Sequence, residues 1–256
     1  MTLNHQKRAL SYKAKENLLI NKVILVSGAG DGIGREAALC YAKHGATVVL
    51  LGRTVEKLEA VYDEIELLGY PQAGIYPLDF STAANQNYVA VRTQLESEFG
   101  ILDGILHNAS ILGDRKPIAS TSPNRWMEVM QINVNSSFML TQALLPLLEK
   151  ALDGSIIFTS SGVGRRAKAY WGAYAVSKFA TEGLMEVLAD ELEKTSSIRV
   201  NSLNPGATNT AMRRTAYPGE NPISNPCPID IMAAYLYLMG PDSRGLTGEK
   251  LDAQSK

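Results

Sequence analysis

The stretch SGAGDGIG, residues 27–34, follows an apolar run, KVILV, and leads into an amphipathic segment at about 33–44. Gly28, Gly32 and Gly34 have a G-x-x-x-G-x-G spacing. Glycines let the backbone turn sharply, and the N–H groups that begin the next helix attract an anion. The pattern predicts a strand, a turn and a helix that bind the pyrophosphate of a dinucleotide. A tight turn without a ligand is the alternative.

The same alternation of short apolar runs and longer amphipathic segments continues along the chain. The apolar runs are nearly continuous, which is typical of a parallel sheet covered on both faces. We predict a single α/β domain with a doubly wound, seven-stranded parallel sheet and helices on both faces. The predicted strands are 22–28, 46–52, 73–79, 101–108, 155–161, 198–206 and 248–253, and the predicted helices are 33–44, 54–69, 84–99, 123–150, 171–194 and 228–239.

Composition and charge exclude several classes of protein. The 256 residues are 45% hydrophobic and 20% charged, with a formal net charge of −1. Such a chain has no global field that would draw it to nucleic acid or to an anionic membrane. No apolar run reaches the roughly 18 residues of a membrane span. Cys40 and Cys227 form no metal-like spacing. We expect a cytoplasmic protein with no metal site and no nucleic-acid or membrane partner.

Two segments stand outside the alternation of strands and helices. Residues 1–21 are basic and lack the apolar run of a secretory signal, so we expect a loosely ordered N-terminal arm. Residues 207–228 are rich in Pro, Asn and Thr, and a loop of that length inside a compact domain is usually a functional lid or disordered. We therefore expect an arm at 1–21 and a domain at 22–256 whose substrate lid lies at about 207–228.

The end of the second predicted strand, LLGRT, indicates which dinucleotide binds. A protein that prefers NAD usually places a carboxylate here for the ribose 2′-OH. This chain has Arg53 instead, and a planar guanidinium suits a phosphate. We therefore predict NADP(H) rather than NAD(H), with Arg53 at the 2′-phosphate. A solvated arginine at a helix start is the alternative, and Asp31 in the glycine turn weighs against a phosphate.

The segment GAYAVSK, residues 172–178, places Tyr174 and Lys178 on one face of a predicted helix. A free tyrosine has a pKa near 10, and a nearby ammonium favours the phenolate. The pair indicates a general acid/base with a cation that tunes it, although an ordinary helical pair has the same spacing. Tyr170 is a second phenol close by, but it has no lysine four residues later.

Together these motifs are similar to those of the classical short-chain dehydrogenase/reductase family, over about residues 22–253. SGAGDGIG resembles the family's glycine turn, and HNAS (107–110) resembles its N-N-A-G motif, with His107 and Ser110 as departures. NPGATNTAM (204–212) resembles the segment at the nicotinamide side. The sequence as a whole is also similar to those of the YciK-type oxidoreductases of bacteria. The resemblance implies a single-domain Rossmann fold.

The resemblance also implies roles for particular residues. Ser161 would hold the substrate oxygen, Lys178 the nicotinamide ribose, and Asn133 a water of a proton relay. Taken singly, Ser161 is also a normal turn residue and Asn133 a residue that bends helices. The implied catalytic residues are Asn133, Ser161, Tyr174 and Lys178. The implied cofactor-binding residues are Gly28, Asp31, Gly32, Ile33, Gly34, Arg53, Asp79, Asn108, Ala109, Tyr174, Lys178, Pro205, Gly206, Thr208 and Thr210.

Three functions remain open at this point. The leading hypothesis is an NADP(H)-dependent oxidoreductase acting on a small carbonyl or alcohol substrate. The second is a 3-oxoacyl thioester reductase, whose acidic carrier would dock on basic residues of 164–172 and on Arg213 and Arg214. Those charges are also explained as a solvated rim. The third is a non-catalytic NADPH-binding regulator. The resemblance further implies a homodimer or homotetramer formed through the helices at 123–150 and 171–194.

Overall fold

The computed structural model describes residues 2–255, so Met1 and Lys256, the ends of the predicted arm and domain, lie outside it. The strands are β1 (Val23–Ser27), β2 (Thr47–Gly52), β3 (Gly74–Pro77), β4 (Gly104–His107), β5 (Ser155–Thr159), β6 (Arg199–Asn204) and β7 (Lys250–Asp252). They form one parallel sheet in the order β3-β2-β1-β4-β5-β6-β7. The predicted doubly wound, seven-stranded sheet is confirmed.

The helices connect the strands in the predicted order. They are α1 (Thr2–Leu10), α2 (Gly32–Lys43), α3 (Val55–Leu67), α4 (Asn85–Glu98), α5 (Pro123–Met130), α6 (Ser136–Leu148), α7 (Gly172–Glu193), α8 (Ala211–Ala216) and α9 (Met232–Met239). The predicted helix 123–150 is interrupted by a π-helical turn, Gln131–Asn135, between α5 and α6. None of the helices within residues 2–255 is both long and apolar enough to cross a membrane.

Alternate residues of the central strands enter two different cores. Ile24 and Val26 of β1 pack in a core with α2, α3 and α9, whereas Val23 and Leu25 pack in a core with α4, α6 and α7. Both faces of β1 are therefore buried, which explains why its sequence is apolar without alternation.

The N-terminal segment is not the loosely ordered arm that its charge suggested. Residues 2–10 form α1, and Ala9 is fully buried against the rest of the domain. Nδ1 of His5 lies 2.6 Å from the hydroxyl of Tyr237 in α9, and Nε2 of Gln6 donates to the carbonyl of Asp252 at 2.7 Å. A helix this short depends on tertiary contacts rather than on its own propensity, so local composition did not reveal it.

The segment 207–228 also has more regular structure than a loop. It contains α8, whose N-cap is Thr210, with Oγ1 accepting from the N–H of Arg213 at 3.1 Å.

One residue that departs from the family motif, His107 at the end of β4, is packed in the core. His107 stacks on Phe158 with ring centroids 4.6 Å apart, and burial lowers the pKa of its imidazole to about 3. A neutral histidine there is part of the core.

Candidate active site

The carboxyl ends of the strands open into a cavity of about 640 Å³. Its lining includes residues that directly follow β1, β2, β4, β5 and β6, which is where ligands bind in doubly wound sheets. Of the predicted site residues, Gly34 and Asn133 are not part of this lining. The predicted residues that do line it are Gly28, Asp31, Gly32, Ile33, Arg53, Asp79, Asn108, Ala109, Ser161, Tyr174, Lys178, Pro205, Gly206, Thr208 and Thr210.

The glycine turn is fixed by backbone geometry. Gly28 has a φ of +68°, a left-handed conformation that residues with side chains rarely adopt. A Cβ on Gly34 would lie 2.2 Å from the carbonyl oxygen of Gly28 and 2.5 Å from Nδ2 of Asn108. The turn therefore requires glycine at both positions. It leaves the first N–H groups of α2, which have no helical acceptors, beside the cavity.

Three charged side chains lie where β2 ends. Arg53 directly follows the strand and lines the cavity with an exposed side chain. Nζ of Lys57 in α3 donates to Oδ2 of Asp31 at 2.5 Å, and this bond lowers the pKa of that carboxyl. The negative charge of Asp31 weighs against a phosphate site, but Lys57, which sequence reasoning missed, lies beside it and offsets that charge. One net positive charge remains here, and it fits a phosphate.

Polar contacts fix the adjoining wall on the same side of the sheet. The N–H groups of Asn108 and Ala109 both donate to Oγ of Ser27, at 3.0 and 3.2 Å. Oδ1 of Asp79 accepts from the N–H and the hydroxyl of Ser81 at 2.9 and 2.7 Å, and these bonds lower the pKa of Asp79. The ends of β1 and β4 are thereby held together, and the segment after β3 is fixed by its own local bonds.

The residues after β6 form the opposite wall of the cavity. A Cβ on Gly32 would lie 3.4 Å from Cγ2 of Thr210, so this segment directly faces the glycine turn. Nε2 of Gln254 donates to the carbonyl oxygens of Pro205 and Ala207 at 2.8 and 2.9 Å. Gln254, which sequence reasoning missed, anchors this wall to the C-terminal end of the domain.

Helix α7 places the predicted acid/base pair at the cavity. Tyr174 and Lys178 are only 7% and 3% exposed, yet both line it. Nζ of Lys178 lies 5.6 Å from the ring centroid of Tyr174 and donates to the carbonyl of Thr159 at 2.8 Å. Burial lowers the pKa of Lys178 to about 8, and the negative charge of Glu182 opposes this shift.

The surroundings of Tyr174 in the chain raise the pKa of its phenol rather than lower it. Burial raises its pKa to about 12, and a hydrogen bond with Ser161 opposes that shift only in part. The sequence interpretation expected Lys178 to lower this pKa. Desolvation is the larger influence because burial disfavours the charged phenolate. At neutral pH the phenol of Tyr174 is therefore protonated.

The structure also distinguishes Ser161 from the adjacent Ser160, and Tyr174 from the nearby Tyr170. The hydroxyl of Ser160 donates to the buried carboxylate of Glu182, whereas Ser161 hydrogen-bonds with Tyr174 at the cavity. Tyr170 is 59% exposed, whereas Tyr174 is buried. Ser161 and Tyr174 therefore form one hydrogen-bonded pair at the cavity.

Asn133 lies in the π-helical turn and is 3% exposed. Its Oδ1 accepts from the N–H of Ile111 at 2.8 Å, and its Nδ2 donates to the Ile111 carbonyl and to Oγ of Ser177, both at 3.0 Å. Asn133 thus holds the segment after β4 against α7, and π-helical turns often occur at functional sites. Its proton relay to Lys178 stays a prediction.

A buried carboxylate below the acid/base pair was missed by sequence reasoning. Glu182 is 3% exposed and lies one helical turn after Lys178. It accepts hydrogen bonds from Ser160, from Oγ of Ser202 at 2.6 Å and from Nε of Arg165 at 3.4 Å. The available signal was the K-x-x-x-E spacing, but the donors come from other elements. Three donors around a buried carboxylate compensate its loss of solvation.

Two of the predicted rim charges are paired within the chain. Nη1 of Arg165 donates to Oδ1 of Asp252 at 2.7 Å. Arg213 forms two bonds with Glu220, at 2.7 and 2.6 Å. These arginines therefore contribute less free positive charge than the sequence suggested.

The comparisons with known proteins agree with this geometry. The model of the short chain dehydrogenase family matches residues 22–221. The chain is 52% identical over 245 residues to the uncharacterized oxidoreductase YciK of Escherichia coli K12, and the match covers 96% of both chains. The predicted similarity to the YciK-type oxidoreductases is confirmed.

Two solved structures share the fold and much of the sequence. A short chain dehydrogenase of Shigella flexneri 2a, complexed with NADP, is 53% identical with a TM-score of 0.92, over 94% of this chain and 100% of that one. A short chain dehydrogenase of Escherichia coli CFT073, complexed with NADPH, is 52% identical with a TM-score of 0.92, over the same shares. From the family match, these similarities and the geometry of the cavity, this chain belongs to the short-chain dehydrogenase family.

Proposed function

We propose that the chain is an NADP(H)-dependent oxidoreductase that transfers hydride between the nicotinamide and a carbonyl or alcohol substrate. The observation that carries this proposal is that Ser161, Tyr174 and Lys178 line the same cavity as the glycine turn and Arg53. Hydride transfer with protonation needs an acid/base group beside a dinucleotide site. The NADP and NADPH complexes of the two similar proteins support the cofactor assignment.

The residues present fit NADP(H). The start of α2 and the close-packed glycine turn suit the pyrophosphate, since the backbone leaves N–H groups there. Arg53 and Lys57 would hold the 2′-phosphate, with Asp31 as an internal counter-ion. Thr208 and Thr210, on the wall opposite the turn, would hold the nicotinamide side.

The side chains of the acid/base site divide the chemistry between them. Bound NADPH supplies the hydride. Tyr174 donates its phenolic proton to the substrate oxygen, so that the carbonyl becomes an alcohol. Ser161 donates a hydrogen bond to the same oxygen and stabilises its developing negative charge. Lys178 is protonated below a pKa of about 8 and stabilises the tyrosinate that remains. Alcohol oxidation runs these proton steps in reverse.

The alternatives have less support. A carrier-bound thioester would need a basic docking rim, but Arg165 and Arg213 are paired with carboxylates. A pure regulator would not need a buried phenol, hydroxyl and ammonium at the mouth of a dinucleotide site.

We also propose that segment 207–228 is a substrate lid and that the protein forms a homodimer or homotetramer. Thr208, Thr210 and helix α8 line the cavity, while residues 217–228 are exposed or half-buried, which suits a lid. Phe138 on α6 and Val176, Phe179 and Val187 on α7 are apolar and exposed. Such side chains favour burial against a second copy.

Two measurements test the proposed function. Calorimetric titration should show tighter binding of NADPH than of NADH, and Arg53→Ala should remove most of the difference, about tenfold or more. In a screen of small aldehydes and ketones, Tyr174→Phe should reduce turnover by about a thousandfold, with little change in NADPH affinity. The control variant Tyr170→Phe should keep wild-type turnover. A Tyr174→Phe variant with wild-type turnover would contradict the mechanism, and preferential binding of NADH would contradict the role of Arg53.

A further inference from the structure

Three cations surround the ring of Tyr217, and one of them, Arg213, lines the cavity. Cζ of Arg213 lies 3.9 Å from the ring centroid, Cζ of Arg115 lies 4.8 Å from it, and Nζ of Lys168 lies 5.9 Å from it. Cζ of Arg115 also lies 4.6 Å from the ring centroid of Trp171. We call these five side chains the cation–aromatic cluster.

A carboxylate neutralises one of these cations in the described part of the chain. Arg213 binds Glu220 through two hydrogen bonds. Within residues 2–255, Arg115 and Lys168 have no ion pair, and the carboxylate of Asp114 pairs with other cations. Both side chains are exposed and lie beside one ring, so their charges are available to an anion.

Trp171 connects the cluster to the acid/base site. Its ring centroid lies 5.7 Å from that of Tyr174 and 5.8 Å from that of Tyr217. Trp171 lines the cavity, and its buried Nε1 has no hydrogen-bond partner among residues 2–255. Buried donors are normally paired, so a hydrogen-bond acceptor on a ligand would complete this site. A substrate of the size of one aromatic ring, held at Tyr174, would extend along Trp171 toward the cluster.

We infer that the substrate is a carbonyl or hydroxy compound that also carries an oxyanion, a carboxylate or a phosphate, bound by Arg115 and Lys168. This inference rests on the proposed oxidoreductase function and adds its substrate class. The rings of Trp171 and Tyr217 cover the guanidinium of Arg115 by cation–π contact. The N–H edge that remains suits the bidentate geometry of carboxylate and phosphate, and Lys168 adds a point charge.

Three para-substituted benzaldehydes test this inference: 4-carboxybenzaldehyde, 4-formylphenyl phosphate and methyl 4-formylbenzoate. They share the aldehyde and the ring and differ in the carboxylate, phosphate or neutral ester. Turnover with NADPH is measured for the wild type. Binding to the NADPH complex of Tyr174→Phe is measured by calorimetry. Turnover is measured again with Arg115→Gln, Arg115→Lys and the control Arg166→Gln, and binding is measured again with each of these combined with Tyr174→Phe. Arg166→Gln removes the same charge from an exposed side chain outside the cluster.

We expect one or both anionic aldehydes to exceed the methyl ester by about tenfold or more in kcat/KM and in affinity. Arg115→Gln should remove this preference, Arg115→Lys should keep part of it, and Arg166→Gln should leave it unchanged. The more tightly bound of the two anionic aldehydes identifies the oxyanion as carboxylate or phosphate. High ionic strength should weaken the binding of the anionic aldehydes and not that of the ester.

Other outcomes separate this inference from the proposed function. Turnover of all three aldehydes without preference leaves the proposed function standing and overturns the inference, as does a preference that survives Arg115→Gln. Preferential binding of the anions without turnover by the wild type supports the oxyanion site and contradicts hydride transfer. If Arg115→Gln weakens all three equally and lowers the unfolding temperature, Arg115 only holds segment 110–116 against Tyr217, and the inference is wrong. Absence of binding by all three also contradicts it.

Discussion

Beside the glycine turn the wall of the cavity is closely packed backbone, whereas beside Trp171 it consists of side chains carried by loops and by α8. At the first end, a single methyl group on Gly34 would overlap the carbonyl oxygen of Gly28. Near the second end, Arg115 and Lys168 are exposed and lie against the ring of Tyr217. The backbone end can hold one kind of ligand, but the side-chain end can change its specificity by substitution without disturbing the sheet.

The largest expected effect tests how rigid the backbone end is. Gly34→Ala places a Cβ 2.2 Å from the backbone oxygen of Gly28, which cannot swing aside as a side chain can, and 2.5 Å from Nδ2 of Asn108. We expect the free energy of unfolding to fall by about 3 kcal/mol, and NADPH binding to be lost. Urea denaturation and calorimetric titration measure the two effects.

Gly183 in α7 supplies the matched control. A Cβ there would meet no atom within 4 Å, and the residue lies inside a helix. Gly183→Ala should therefore raise the free energy of unfolding by about 0.5–1 kcal/mol and leave NADPH affinity unchanged. A Gly34→Ala variant that keeps its stability and NADPH affinity would show that the turn can shift, and the contrast between the two ends would fail.

The sequence revealed those parts of the site whose requirements are local. The glycine turn occupies eight consecutive residues, and Tyr174 and Lys178 share one face of one helix. Glu182 could not be recognised in this way, since its partner Ser202 belongs to a strand far along the chain. Arg115 meets Tyr217 only after two loops have folded together. The raised pKa of Tyr174 depends on burial, which spacing does not show.

Glu182 lies below the acid/base pair, and substituting it shows whether that pair is as fixed as the glycine turn. Glu182→Gln keeps the shape but removes the charge that Arg165 and Lys178 face. We expect the free energy of unfolding to fall by about 2 kcal/mol. The negative charge of Glu182 raises the pKa of Lys178, so its loss should lower that pKa below about 8. Activity that needs protonated Lys178 should then decline at lower pH than in the wild type.

The pH profile of turnover distinguishes this positioning role from a purely structural one. Glu186→Gln, one turn further along α7, is the control because Glu186 is 56% exposed and pairs with Lys250 at the surface. Glu186→Gln should change the free energy of unfolding by no more than about 0.5 kcal/mol and leave the pH profile of turnover unchanged. If Glu182→Gln destabilises the protein but keeps the wild-type pH profile, Glu182 does not set the charge of Lys178.

The smallest expected effect concerns charge at the backbone end. There Asp31 partly neutralises the cations that face the cofactor, whereas Arg115 and Lys168 at the other end have no such carboxylate among residues 2–255. Asp31→Asn should free Lys57 and tighten NADPH binding by about threefold, since exposed pairs are worth less than about 1 kcal/mol. The affinity for NADH, which lacks the 2′-phosphate, should stay the same.

Asp63→Asn removes an equal charge from an exposed position further along α3 and should leave both affinities unchanged. The gain in Asp31→Asn should shrink as salt is added, because both members of the Asp31–Lys57 pair are more than half exposed. If Asp31→Asn instead weakens NADPH and NADH alike, the Asp31 carboxylate contacts a part that the two dinucleotides share. The two ends would then differ in their contacts and not in the balance of their charges.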